Sequence, residues 1–398
     1  MLFRGLLILF GLNQTLAIAL VPQLVSFLGL SNSSQNLAIV TLIINVNLLT
    51  YWLGTAFWGD LVSKISIVKC TRIASIGFLF SNALFWSALF IVETPSLMFI
   101  AFSRLALGLF TSAFIILAHS HLAQITNTSF GQLAKISGAI TLGRLIGPSL
   151  VLLPFSMEWL LLFPTIATGL FIPFIFFMTN TEPHKPAFEA PSKPINSPNF
   201  ALILITALLT TILVSTVQYF ILPLLFEMGY EGVLGSKVYA ALLLYLTLTV
   251  IIYQFFVLPR LTPYLSIIPG LIIAALLISC TLFVVSLHNG LLLIIALTML
   301  TFAISALPSW YSQKAYEHNQ TLAIRAYRSS RIARAHTTGH LLGTAISSLT
   351  LYLNLPLIIP IWIFSLSLIG LIITLHKHTY FKANRYLKYS TVNKEDHE

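Results

Sequence analysis

Two arginines, Arg104 and Arg144, stand inside long apolar stretches of the chain. A guanidinium at the centre of a hydrocarbon layer costs at least a few kcal/mol unless it faces a partner or a wet cavity. Each is therefore a candidate binding group, the alternative for Arg104 being a side chain that snorkels to a helix end. Arginine offers charge-assisted, often bidentate hydrogen bonds to a carboxylate, a phosphate or another anion. Other apolar stretches carry Asn13 and Gln14; Asn45, Asn47 and Tyr51; Gln218 and Tyr219; Tyr245, Tyr253 and Gln254; and Arg334, His336 and His340. No carboxylate falls near the middle of any of them. That argues against a site for lipophilic cations and for an anionic small-molecule partner.

Proton coupling needs a group whose protonation responds to its surroundings, and the candidates are Glu227, Asp60 and His340. Glu227 falls near a helix end, where an exposed loop carboxylate is the competing reading. His336 and His340 share a helix face at i, i+4 spacing. Without a third ligand they read as a polar pair facing a cavity and not as a metal site. The sequence contains no GxxxxGK[ST] phosphate loop, HExxH or G-x-S-x-G segment, so neither a nucleotide nor a catalytic metal is expected as cofactor. An intramembrane enzyme using His119 and His121 is the alternative from a different class, weakened by the lack of a nearby acidic partner.

These side chains must be positioned by a chain of 398 residues that is 57% apolar and 8% charged. A soluble domain carries roughly 25% charged residues, so a soluble globule is excluded. Hydropathy predicts twelve transmembrane helices, near 5–30, 36–58, 69–92, 96–118, 132–155, 158–179, 199–228, 233–257, 264–287, 289–312, 330–353 and 356–375. The net charge of +10 does not signal nucleic acid, because the basic residues sit at helix ends and form no solvated basic face. Cys70 and Cys280 lie in or beside apolar runs and supply neither a disulfide framework nor a metal pair. Arg4 and the run to Ala17-Ile18-Ala19 have the look of a cleavable signal. Asn13 and Gln14 interrupt that run and it continues to Leu30, so it reads as the first spanning helix.

Thr179 to Asn199 carries five prolines and mixed charge and cannot span. The expected domains are a six-helix bundle at 1–179, a cytoplasmic linker at 180–198, a second six-helix bundle at 199–375 and a basic tail at 376–398. Basic residues from Arg4 through Lys64, Lys69, Arg72, Arg260 and Lys314 to the tail fall on one side. That side is expected to be cytoplasmic, with both termini. Arg325, Arg328 and Arg331 read as an anchor to anionic headgroups, with Arg334 one turn deeper. Gly143-Arg144-Leu145-Ile146-Gly147-Pro148 matches Gly339-His340-Leu341-Leu342-Gly343-Thr344 at an offset of 196, and Pro22-Gln23-Leu24 with Leu28-Gly29 matches Pro223-Leu224-Leu225 with Met228-Gly229 at 200 to 201. Two pseudo-symmetric halves arising by duplication are the organisation of a rocking transporter.

Three motifs carry a resemblance to the major facilitator superfamily that covers the whole chain. Ala56-Phe57-Trp58-Gly59-Asp60-Leu61-Val62-Ser63-Lys64 resembles the family's loop between spans two and three, matching at Asp60 and Lys64 with Ala56 and Ser63 in place of glycines. Arg104-Leu105-Ala106-Leu107-Gly108 is similar to its fourth-span motif, and Gly143-x-x-x-Gly147-Pro148 to the fifth-span signature of exporting members. The resemblance implies a monomeric secondary transporter of the plasma or inner membrane with one central site and alternating access. It also implies a gating role for Asp60 and Lys64, conformational roles for Gly143, Gly147 and Pro148, export as the direction and proton antiport as the energy source. The cationic lining points to a carboxylate-bearing substrate, such as a siderophore or a drug. An importer of an organic anion is the alternative.

Overall fold

The computed structural model describes residues 2–31, 33–90, 96–124, 130–177, 198–261, 264, 266–285, 289–316 and 322–395. The described chain is helical: α1 (Leu2–Ala19), α2 (Val21–Phe27), α3 (Ser34–Asn45), α4 (Asn47–Lys64), α5 (Ile67–Phe90), α6 (Leu97–Gln124), α7 (Phe130–Leu152), α8 (Met157–Phe176), α9 (Pro198–Glu227), α10 (Gly232–Ile252), a π-helical turn (Tyr253–Val257), α11 (Leu258–Leu261), α12 (Ile268–Val285), α13 (Gly290–Tyr316), α14 (Leu322–Tyr352) and α15 (Ile358–Glu395). Each of the twelve expected spans has its helix. The linker lies outside the described residues apart from its last position, Pro198.

Ten of these helical stretches are long and apolar enough to cross a membrane by length and composition. Two predicted spans, α7 and α14, are not among the ten; the described apolar stretch of α7 is Gly138–Leu152. Arg144 lies in the first, and Arg325, Arg328, Arg331 and Arg334 in the second.

Three predicted helices are interrupted. Pro22 in the first turn of α2 fits a kink at Leu20, because proline has no N–H to continue the ladder. The second span breaks at Val46 into α3 and α4 without glycine or proline. The eighth span passes through a π-helical turn just before Pro259. One expectation is corrected: Ala56 to Lys64 is not a loop but the last turns of α4. With alanine and serine at positions 56 and 63, nothing in the stretch breaks a helix, and Lys64 bonds back to Asp60 one turn earlier.

The repeat is visible in the backbone. α2 ends with Gly29 at φ 65°, with Gly29 N–H on Ser26 O and Leu30 N–H on Val25 O. α9 ends with Gly229 at φ 80°, with Gly229 N–H on Phe226 O and Tyr230 N–H on Leu225 O. Both are helix stops that need a left-handed residue, a conformation glycine adopts without steric cost.

Contacts group the chain into two compact units. The first comprises Met1–Glu189, Gln218–Leu248 and Thr344–Leu357; the second comprises Ala190–Val217, Thr249–Gly343 and Ile358–Glu398. In the first unit α1 packs on α7, α4 and α5 on α6, and α5 on α8. Its core includes Phe10, Trp58, Phe78 and Phe114, with Phe78 and Phe114 edge to face at 5.2 Å. In the second, α12 packs on α13 and α15.

Candidate functional site

The glycines of the repeated motif set how closely helices meet. A methyl at Gly143 would overlap the Ile8 carbonyl and one at Gly147 the Thr15 hydroxyl, so α7 lies backbone to backbone on α1. In the second unit a methyl at Gly339 would overlap the Thr211 hydroxyl, and one at Gly343 would crowd Ile212 O and the Ser215 side chain of α9. Small residues four apart permit this approach. Pro148, buried inside α7, leaves the Arg144 carbonyl without its i+4 N–H donor.

The residue after the first glycine of each pair carries the polar chemistry. Arg144 Nη2 donates to Gln14 Oε1 at 3.3 Å, and the Tyr51 phenol stands close enough to feel its charge. Tyr51 stacks on Phe10 with ring centroids 5.8 Å apart and 8° between planes. Arg144 is exposed although it belongs to the apolar part of α7. At the matching place, His340 Nδ1 lies 2.9 Å from Ser215 Oγ. One turn earlier, His336 Nε2 lies 2.7 Å from the hydroxyl of Tyr311, which is fully buried. Each half thus pairs a basic side chain of its fifth helix with a polar group of its first.

Arg104 has a different role despite its similar setting. It is 2% exposed, its Nε donates to Ile44 O at 2.8 Å, and its guanidinium covers the Phe85 ring at 5.2 Å. Ile44 lies just before the break in the second span, so Arg104 holds a carbonyl that an unbroken helix would have bonded internally. Nη1 has no hydrogen-bond partner among the described residues, and neither does Oδ1 of buried Asn47. The Tyr219 phenol interacts with its charge and hydrogen-bonds Thr344. Arg104→Ala is expected to orphan the Ile44 carbonyl and open a cavity. The expected cost is about 3 kcal/mol or more, read as an earlier midpoint in thermal denaturation of the detergent-purified protein.

The remaining candidates divide by exposure. Asn13 is buried and donates to Asn82 Oδ1 of α5. The backbone carbonyl of Gln218 accepts from the Tyr239 hydroxyl at 3.0 Å. Arg334 and Glu227 are exposed. Asp60 and Lys64 pair at 2.6 Å with both side chains largely exposed, a contact worth less than about 0.5 kcal/mol. His121 stacks on Phe3 at 4.7 Å, and burial holds its imidazole below the ordinary histidine range. The unfolded chain takes up its proton first on acidification, so this contact weakens as the pH falls below about 6.5. His119's side chain lies outside those described. Asn82, Ser215, Tyr311 and Phe10 were not singled out in the sequence. Asn82 and Tyr311, polar residues inside apolar runs, were the available signal.

Membrane-spanning helices, an internal repeat and matched polar pairs in its two copies define a polytopic membrane transporter. The sequence profile of the Major Facilitator Superfamily matches residues 5–335, and the chain belongs to that family. It is a transporter and not an enzyme. No curated protein matches it by sequence. Among solved structures it is similar to the nucleoside transporter NupG (14% identity, TM-score 0.65, covering 94% of this chain and 98% of that one) and to a D-xylose-proton symporter (13%, 0.67, 94% and 95%). It is also similar to the human organic anion transporter MFSD10 (16%, 0.63, 94% and 97%). At such identities the likeness establishes the fold.

Proposed function

We propose that the protein is a proton-coupled exporter of a carboxylate-bearing small molecule, a cell-made metabolite such as a polycarboxylate siderophore or an anionic drug. The observation that carries this reading is Arg144, an exposed residue within an apolar helix whose guanidinium bonds Gln14 near the Tyr51–Phe10 stack. Every carboxylate whose side chain is described, namely Asp60, Glu158, Glu227 and Glu231, is exposed at or beside a helix end. No described acidic group therefore neutralises Arg144 from inside a span, and an anionic ligand is its natural partner. A neighbour described as an organic anion transporter and one described as a proton symporter support the substrate class and the coupling. The direction rests on the Gly143 to Pro148 signature. The two halves at 1–179 and 199–375 are taken as the moving repeats of a monomer in the plasma or inner membrane, with cytoplasmic termini.

The test compares metabolites in cells and in spent medium with and without this gene, under nutrient and iron limitation. An anionic compound that builds up inside the deletion strain and disappears from its medium is the expected result. A compound left outside while cells lack it makes the protein an importer. A cationic or neutral compound overturns the substrate class.

A further inference from the structure

We propose that His336, paired with Tyr311, is the proton-binding site of the transport cycle. This deepens the reading of the chain as a proton-coupled transporter and rests on it. A coupling site needs a titratable group that protein atoms shelter, and the described carboxylates are all exposed. Glu227, a sequence candidate, is among them. His336 meets the requirement: it is half-buried on α14 with Nε2 2.7 Å from the hydroxyl of fully buried Tyr311 on α13.

The geometry makes the pair a switch. With Nε2 bare, the imidazole accepts and the Tyr311 hydroxyl donates. A proton on Nε2 turns the nitrogen into a donor, so the tyrosine oxygen must accept and its own hydrogen must turn to another acceptor. A buried hydroxyl that loses its acceptor is left with an unsatisfied donor, which disfavours that arrangement. Proton uptake thus favours a rearranged contact between the two helices over the present one, which is how a histidine biases a two-state element. The same two helices are tied by Arg328 Nη1 on the Ala315 carbonyl at 2.5 Å. α14 places His336 and His340 in the second unit and continues as Thr344–Tyr352 in the first.

Among the described residues, few titratable and charged groups lie on the elements around His336, Arg328 on the Ala315 carbonyl being one. α13 presents Tyr311 and Lys314, the latter held over the Trp310 ring at 5.2 Å. α14 itself carries Arg331, Arg334 and His340. α9 packs on this part of α14 through Thr211 and Ser215, neither of which titrates in this range.

The experiment needs no substrate. Ser236, fully buried, accepts a hydrogen bond from the Gln23 N–H at 3.0 Å, so a cysteine there reports opening of that contact. The alkylation rate of Ser236→Cys in detergent-purified protein is measured with a maleimide between pH 5.5 and 8. It is divided by the rate for Glu231→Cys, an exposed neighbour, to remove the thiol's own titration. Protein without either substitution checks that buried Cys70 and Cys280 stay silent. The normalised rate is expected to change by on the order of tenfold, the ratio given by one unit of difference in proton affinity between two states. His336→Gln should flatten the response to within about twofold, and Tyr311→Phe, which keeps the base, should move its midpoint. A flat normalised profile for Ser236→Cys with His336 intact overturns the proton site while leaving anion export to its own test. A response that survives His336→Gln, or that His340→Gln abolishes instead, overturns the assignment to His336.

Discussion

Arg144→Gln is expected to depress transport of carboxylate-bearing substrate strongly while leaving the folded protein intact. Arg144 is an exposed residue, and its hydrogen bond to Gln14 is long at 3.3 Å, so a neutral amide in its place removes little packing. What is lost is a charge-assisted bond to the ligand, worth about 1.5–3 kcal/mol, or roughly ten- to a hundredfold in affinity. Arg144→Lys should recover only part of the loss, because an ammonium keeps the charge but not the planar fork. The check is uptake into inverted vesicles beside size-exclusion profiles of the same variants. The contrast with Arg104→Ala is the informative one: Arg104 variants should lose stability and Arg144 variants function. Full transport by Arg144→Gln would remove the basis for an anionic substrate.

Gly143→Leu and Gly339→Leu are expected to prevent accumulation of folded protein. At each position the added carbon meets atoms of the facing helix: Ile8 O and Leu12 N in one half, Thr211 Oγ1 and Leu208 O in the other. Overpacking a core ordinarily costs about 1–3 kcal/mol because side chains yield. Here backbone must yield, so the helices separate and the loss exceeds that range. Gly138→Ala is the internal control, since a methyl there meets nothing within 4 Å. It should be neutral or stabilising by up to about 1 kcal/mol through helix propensity. Fluorescence-detected size exclusion of tagged variants reads both outcomes. A monodisperse peak for Gly143→Leu would show that α1 and α7 do not need their close approach.

The spans were legible because a membrane imposes a length of roughly 20 apolar residues, and that constraint is local. The duplication was legible for the same kind of reason. The glycines at 29 and 229 stand where the backbone turns left-handed, and the pairs at 143 and 147 and at 339 and 343 stand where a side chain would overlap the facing helix. The motif ending at Lys64 was less legible: family resemblance suggested a loop, and the absence of glycine at 56 and 63 lets the helix run on.

The sequence by itself thus determined an all-helical, duplicated membrane transporter with basic residues in its fifth and eleventh spans. Tertiary structure alone decided what each polar residue does. Arg104 and Arg144 are the same residue type in similar apolar surroundings, yet one is buried on the Ile44 carbonyl and the other is exposed on Gln14. The break at Val46 has no local signature, because the group that holds the freed carbonyl lies 60 residues away. The partners of Asn13, His336 and His340 likewise sit on other helices. Hydropathy averages over a helix and says where it runs. Which way a side chain points and what it meets depends on the rotation of that helix against its neighbours, and only packing sets that.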